Sequence, residues 1–300
     1  MANAFFRKRV GPEAVPVLAW SSNLPDIDAA VMLWRDPAAI TLRRTFGHSI
    51  FLFPVWAAGL AWIFKKKYPH QKFGTLFGLC LLGAAVHVFF DLVNSFGVVV
   101  LWPFSSWRPE FAAVFIVDLI LLALLIAPLI ATRYLDPEKR QRYFRYSMAA
   151  VAAYLVLCFA NRAAAGSSLA YEEENRHGYQ PPDFSYVFPE PLGPHRWRGV
   201  MRYGDDYELY LIHNHLLYET AELKEHISTS PNDPRVLKAR QSPLGQRIDT
   251  FFKAPVWLCN GDEVDAYDIR FRSLVFPRQR GFQFRFLADP ADSAKPTHTP

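Results

Sequence analysis

Residues 74–101, GTLFGLCLLGAAVHVFFDLVNSFGVVVL, form an unbroken apolar run that nonetheless carries His87 and Asp91. A bilayer core asks for roughly 20 mainly apolar residues per helix, so the stretch reads as a membrane span. Imidazole and carboxylate are costly in hydrocarbon, and their presence calls for a metal, a proton path or a substrate. Residues four apart share a helix face, which sets the two side chains next to each other. A structural His–Asp hydrogen bond would satisfy the pair equally well.

Working outward, three further apolar segments, 46–64, 111–132 and 147–165, bring the expected number of spans to four. The third has Asp118 as its only charge, and the fourth closes with Asn161 and Arg162. Lys65, Lys66, Lys67 and Lys72 lie between the first two spans, and Arg133, Lys139, Arg140, Arg142 and Arg145 between the last two, so these loops are expected on the cytoplasmic side. The loop Trp102–Glu110 has Arg108 as its one cation and the aromatics Trp102, Phe104 and Trp107, as suits the opposite interface. By alternation the N-terminal region and everything after the fourth span face outward, and His48, His87, Asp91 and Asp118 meet in the outer leaflet. Arg7, Lys8, Arg9, Arg35, Arg43 and Arg44 run against this orientation, a conflict that eases if Arg43 and Arg44 serve a site.

The mean hydropathy of +0.02 over 300 residues averages two unlike halves. Residues 1–165 hold 17 Lys and Arg against 9 Asp and Glu, the remainder 16 against 19, so the basic character belongs to the apolar half. Those cations flank spans and form no basic helix or stripe, so no nucleic-acid partner is expected. Cys80, Cys158 and Cys259 give neither a disulfide framework nor a cysteine zinc site. Pro12 and Pro16 interrupt the stretch after Met1–Arg9, which does not read as a signal peptide. Beyond residue 166, alternating runs such as Tyr207–Ile212, Ile269–Arg272 and Phe282–Phe286 predict antiparallel strands, and Asp262, Glu263, Asp265 and Asp268 a solvated turn and strand entry. The expected fold class is a mainly α integral membrane helical bundle followed by a small β-rich soluble domain. Its parts are an N-terminal segment 1–45, a transmembrane domain 46–165, a β-rich domain 166–288 and a flexible tail 289–300.

A second carboxylate pair, Asp26 and Asp28 in Asn23-Leu24-Pro25-Asp26-Ile27-Asp28, precedes the first apolar run, and His48 opens that run in Arg43-Arg44-Thr45-Phe46-Gly47-His48-Ser49. Taken alone, Asp after Pro is ordinary turn chemistry. Taken together, histidine and carboxylate are ligands suited to zinc or a similar divalent ion, which would activate a water for hydrolysis. Arg43 or Arg44 would grip an anion such as phosphate, with Thr45 and Ser49 as supporting hydrogen-bond donors. His213 and His215, with His195, lack a carboxylate pattern that would make a second metal site.

In these residues the chain resembles the YdjM-type family of bacterial inner-membrane proteins, described as membrane-bound metal-dependent hydrolases and as LexA-binding. The resemblance rests on Leu24-Pro25-Asp26-Ile27-Asp28, on Arg44 through His48-Ser49, and on His87-Val88-Phe89-Phe90-Asp91-Leu92-Val93-Asn94-Ser95-Phe96-Gly97 with Leu101-Trp102-Pro103-Phe104. Asp118 in Phe115-Ile116-Val117-Asp118 matches a further acidic position, and Trp197-Arg198 and Asp268-Ile269-Arg270-Phe271 extend the likeness over most of residues 17–288. It implies a hydrolase fold distantly related to zinc-dependent phospholipase C and P1-type nucleases, hence a phosphoester substrate. The chain departs from the pattern His-Arg-Gly-x-Thr-His-Ser with Arg43 for the first histidine and Gly47 for the threonine, which puts one ligand in doubt. The family also opens with a helix bearing a Thr-His pair, whereas this chain reaches Val15-Pro16-Val17-Leu18-Ala19-Trp20 almost at once, so its start is expected to be truncated or diverged.

The expectation is therefore a multi-pass inner-membrane hydrolase with its C-terminal domain on the periplasmic side. Asp26, Asp28, His48, His87 and Asp91 would be ligands or their supports for a divalent metal, zinc by preference. Asp118 would be ligand or general base, and Arg44, with Arg43, would bind the anion of a small-molecule or lipid substrate drawn from the membrane. The competing expectation is a noncatalytic membrane protein that uses the cluster structurally while its outward domain binds a partner. A proton-coupled transporter is disfavoured, because four spans without a repeat leave little room for alternating access.

Overall fold

The computed structural model describes every residue except 35–36, 179, 215–218, 277–281 and 288–300. The expected tail 289–300, Arg35 and His215 lie outside the described residues. The chain divides into two compact units, one of Met1–Leu33 with Arg43–Cys158, the other of Trp34–Leu42 with residues from Phe159 on.

In the first unit, helical turns at Ala2–Phe6 and Arg7–Val10 stop at Gly11, whose φ of +112° few side chains tolerate. Helix α1, Ala14–Ser21, follows, then 3-10 turns at Pro25–Trp34 and Phe46–His48. Helix α2, Phe53–Lys67, has Pro54 in its first turn, where the missing N–H costs nothing. Helix α3, Phe73–Val93, is the centre of the unit. Ala14, Val17 and Leu18 of α1 and Ala57, Ala61 and Phe64 of α2 are buried with its Leu76, Leu79 and Cys80. Helices α1 and α3 touch at Gly83, where an added Cβ would lie 2.0 Å from Ser21 Oγ. Helix α4, Leu119–Ala131, and the first part of α5, Pro137–His177, complete the unit.

Among the described residues two helices are long and apolar enough to cross a membrane, Phe73–Val93 and Glu138–Arg176; the bent pair Ala39–His48 and Phe53–Lys67, at 72°, would make a third. The four expected spans are thus only partly present as such. Helix α3 ends at Val93 rather than at residue 101, since Asn94 Oδ1 accepts the Phe96 N–H and Gly97 turns the chain with a φ of +81°. The stretch 111–118 is not helical. The Phe111 N–H donates to Leu92 O and the Ala113 N–H to Val93 O, so this strand of chain spends its backbone donors on the end of α3. Helix α4 then starts late, capped by Asp118, and its 13 residues are too few to span alone. Val93, Ala113 and Val114 pack against Val151, Tyr154, Leu155 and Cys158 of α5.

In the second unit, Ala165 and Leu169 of α5 lie on an antiparallel sheet of order β1-β2-β3-β4, formed by Phe184–Pro189, Arg196–Tyr203, Asp206–Asn214 and Glu219–Ser228. Gly199 lets the helix approach, because a Cβ there would meet Leu169 Cδ1 at 2.6 Å. Helices α6, Pro234–Gln241, and α7, Pro243–Phe251, lead to a second sheet of order β5-β6-β7, Pro255–Asn260, Glu263–Asp268 and Phe284–Leu287. At the start of α6, hydrogen bonds from Arg235 hold the Asp233 carboxyl well below the ordinary range.

Two strand-level expectations change. Ile269–Phe271 is a 3-10 turn, because Asp268 takes the Arg270 N–H as a cap. Asp268 and Asp265 are buried rather than solvated: Asp268 also accepts the Lys253 and Ala254 N–H groups, and Asp265 accepts from Arg285 Nε.

Gly83→Val should cost about 1–3 kcal/mol by forcing α1 off α3. The purified protein in detergent should then melt several degrees lower, and an unchanged melting temperature would show that the close approach carries no weight.

Candidate metal centre

Three short segments of the first unit deliver the polar cluster. The turn Pro25–Trp34 carries Asp26 and Asp28, the turn Phe46–His48 carries His48, and the last turns of α3 carry His87 and Asp91. The first two meet because residue 47 has no side chain. A Cβ on Gly47 would sit 2.0 Å from the Pro25 carbonyl oxygen. The Thr45 N–H then donates to Asp28 Oδ2 at 2.9 Å, locking one turn to the other.

His48 is fully buried between two carboxylates, Nδ1 2.9 Å from Asp28 Oδ2 and Nε2 3.0 Å from Asp91 Oδ2. His87 Nε2 lies 3.3 Å from the same Asp91 oxygen and 3.8 Å from Asp26 Oδ2. That nitrogen is enclosed, and its contact with Asp91 lacks the alignment of a hydrogen bond. One donor atom from each of Asp26, His48, His87 and Asp91 falls within 4.8 Å of the others, the one such group of His, Cys, Asp or Glu among the described residues. An ionised carboxylate only accepts, so a neutral His48 that donates its Nδ1–H to Asp28 turns its Nε2 lone pair toward Asp91, whereas a protonated ring donates to both. Lone pairs converging in this way need a cation between them, either a proton or a metal ion.

The arginines stand around this core. Arg44 Nη2 pairs with Asp91 Oδ1 at 2.9 Å, its Nη1 donates to Asn94 Oδ1 at 2.8 Å, and its guanidinium lies 4.7 Å from the Phe96 ring centre. Arg44 adopts a left-handed φ of +55°, a sparsely populated conformation for a side-chain-bearing residue. Arg43 Nη2 donates to Asp26 Oδ1 at 3.1 Å. The Asp26 side chain is 41% exposed and that of Arg43 28%, so the cluster opens on their side.

Of the residues picked from sequence, Asp26, His48, His87 and Asp91 come together as a donor set. Asp28 stands behind His48 as its support. Asp118 is elsewhere in use: Oδ1 caps α4 through the Leu121 N–H at 2.8 Å and Oδ2 accepts the Tyr154 hydroxyl at 2.7 Å, and it is outside the group of four. Ser49 Oγ donates to Trp102 O at 2.6 Å, tying the aromatic loop to the turn that carries His48 rather than touching the donors. Sequence reasoning placed neither Asn94, quoted within the family motif, nor Arg108, read as the one cation of an interface loop, at the site. Arg108 Nη1 donates to Arg43 O at 3.0 Å and to Gly97 O at 3.2 Å, bracing the arginine pair. Its signal was visible, as a solitary cation in an aromatic loop.

Residues 1–165 match the family model described as YdjM inner membrane protein. The chain belongs to that family. Every cluster residue, both arginines and Asp118 fall inside the YdjM match, whereas the two sheets lie beyond it. Similarity also extends to the uncharacterized protein YfhP of Bacillus subtilis (strain 168), 34% identical over 85 residues, which are 28% of this chain and 26% of YfhP. The aligned part thus spans about a quarter of that relative. No solved structure matches.

This YdjM-family chain should not tolerate a side chain at residue 47. Gly47→Ala should lower stability by about 1–3 kcal/mol as the Pro25 turn is pushed away, and thermal unfolding of the purified variant measures it.

Proposed function

We propose that this chain is a membrane-bound metal-dependent hydrolase of phosphoesters or similar anionic substrates. The observation that carries the reading is the enclosed His87 Nε2, 3.3 Å from Asp91 Oδ2 and without an aligned hydrogen bond, inside a ring of donors from Asp26, His48 and Asp91. Two nitrogens and two carboxylates are a donor set suited to zinc. A divalent ion held there would supply Lewis-acid chemistry and a water acidic enough to attack at neutral pH.

The chain's own groups have distinct work in this reading. Asp28 fixes the tautomer and angle of His48. Arg44 occupies Asp91 Oδ1 and leaves Oδ2 to face both histidines. Asp26 and Arg43 line the open side, where Arg43 presents its guanidinium to an incoming anion. Charge favours that approach. Asp26, Asp28 and Asp91 against Arg43 and Arg44, with neutral imidazoles, leave one negative charge. A bound divalent ion turns that into one positive charge, attractive to phosphate.

Family membership supports an inner-membrane location. In the proposed orientation the lysine-rich turn after α2 is cytoplasmic and the cluster, at the other end of α3, is outward, with the β-rich unit on the periplasmic side. In a background of Cys259→Ser, a membrane-impermeant maleimide should label Ser106→Cys in intact cells and His70→Cys only after permeabilisation. Labelling in the reverse order overturns the orientation.

A second reading also has an observation behind it: Arg43, Arg44 and His48 already pair with the carboxylates, as a purely structural network would. Metal content separates the two. The purified wild type should hold about one or more zinc or similar ions per chain, lost in His87→Ala with Asp91→Ala, and should cleave bis(p-nitrophenyl) phosphate only when loaded. A stable wild type that takes up no metal makes the cluster structural.

A further inference from the structure

The first unit contains an apolar cavity of about 290 Å³ lined by Leu18, Gly83, Val86, Leu125, Leu129 and Met148, among others. Its place relative to the cluster follows from the helices. Val86 precedes His87 directly, and Gly83 lies one turn before His87 on the same face of α3. Ser22, another lining residue, is four residues before Asp26. The cavity is thus lined by residues that adjoin in sequence those carrying the donors, on α3 and after α1. From there it runs away from them. The Asp118–Tyr154 hydrogen bond fixes the level of α4 against α5. Leu125 and Leu129 lie 7 and 11 residues into α4 from that level, about 10 to 16 Å of helix rise. Met148 lies six residues back along α5, about 9 Å in the same direction.

We infer that this cavity holds an acyl chain of a phospholipid whose phosphate meets the cluster, so that the substrate of the proposed hydrolase is a membrane lipid rather than a soluble ester. The inference rests on the hydrolase reading for its chemistry and on the cavity for its chain. Three observations support a lipid. The pocket is apolar and lies against α3, a helix long enough to span a membrane. The mouth of the cluster carries a guanidinium, the group suited to a phosphate. The aromatic loop tied to the cluster by Ser49 exposes Trp102, Phe104 and Trp107, side chains that settle at headgroup depth.

The test uses the full chain, stripped of metal so that nothing is cleaved, in vesicles of phosphatidylethanolamine and phosphatidylglycerol. The probe is a phosphatidylglycerol with a photoactivatable diazirine at the end of one acyl chain. Labelling is expected on peptides containing Leu125, Leu129 or Met148, and it should fall at least about tenfold in Leu125→Trp with Met148→Trp. Val156→Trp, on an exposed face of α5, should leave it unchanged. Labelling spread evenly over exposed faces such as that of Val156, with none in the cavity, overturns the inference, and the wild type alone suffices to show this if the double variant fails to fold. The loaded enzyme keeps the two proposals apart. Cleavage of bis(p-nitrophenyl) phosphate without cavity labelling refutes the chain site and keeps the hydrolase; cavity labelling without cleavage of any phosphoester does the reverse.

Discussion

One imidazole joins the membrane unit. His48 is buried between Asp28, from the turn after α1, and Asp91, near the end of α3, so a single ring bonds three segments far apart in sequence. A buried charge left without its partner costs about 3–5 kcal/mol, so each member of the trio holds the others in place. Arg44 adds the countercharge on Asp91 and reaches on to Asn94, where α3 stops. The end of α3, the turn at Gly97 and the return of the chain at residues 111–114 are built on that anchor, since Val99 N–H donates to Arg44 O and Arg108 to Arg43 O.

The same anchor explains what sequence could reveal and what it could not. Ionisable residues inside apolar runs stand out because their burial is expensive, and this cost made His87 and Asp91 legible, with His48 at the head of another run; Asp26 was legible only as half of a carboxylate pair in the preceding loop. Distances between runs are not legible in one dimension. Asp118 looked equivalent to the others because it too interrupts an apolar stretch, yet its carboxylate is satisfied by a helix N-terminus and a tyrosine hydroxyl. A carboxylate at the start of a helix is always open to that reading, and spacing alone does not choose between cap and ligand. The span count suffered from a related ambiguity. Hydropathy reports that residues 94–101 and 111–117 are largely apolar, but their backbone groups pair with the end of α3, with Arg44 and with Pro109 instead of with helices of their own. Irregular backbone of this kind is tolerated at membrane depth where protein covers it.

In the β-rich part, alternation located β3 and β7 but misjudged the acidic stretch before residue 272. Asp268 breaks the strand because its two oxygens collect three backbone N–H groups, and its burial beside Arg270 is invisible to a pattern of charges. The polar face of a strand and a satisfied buried carboxylate have the same spelling.

Gly47 shows how one substitution relative to a family pattern can be absorbed. The expected threonine would collide with the Pro25 carbonyl in this backbone, so the turns bearing Asp28 and His48 close against each other only because the side chain is gone. The histidine expected at residue 43 is replaced by an arginine that binds Asp26 instead of contributing a lone pair. The two changes act in one direction. The first draws the Asp26–Asp28 turn inward until the Thr45 N–H reaches Asp28, and the second supplies a cation for the carboxylate brought closest to solvent. Relative to the family pattern a nitrogen is exchanged for a guanidinium at the mouth of the cluster, and the four groups that lie within 4.8 Å of one another equal in number the ligands a tetrahedral ion would take.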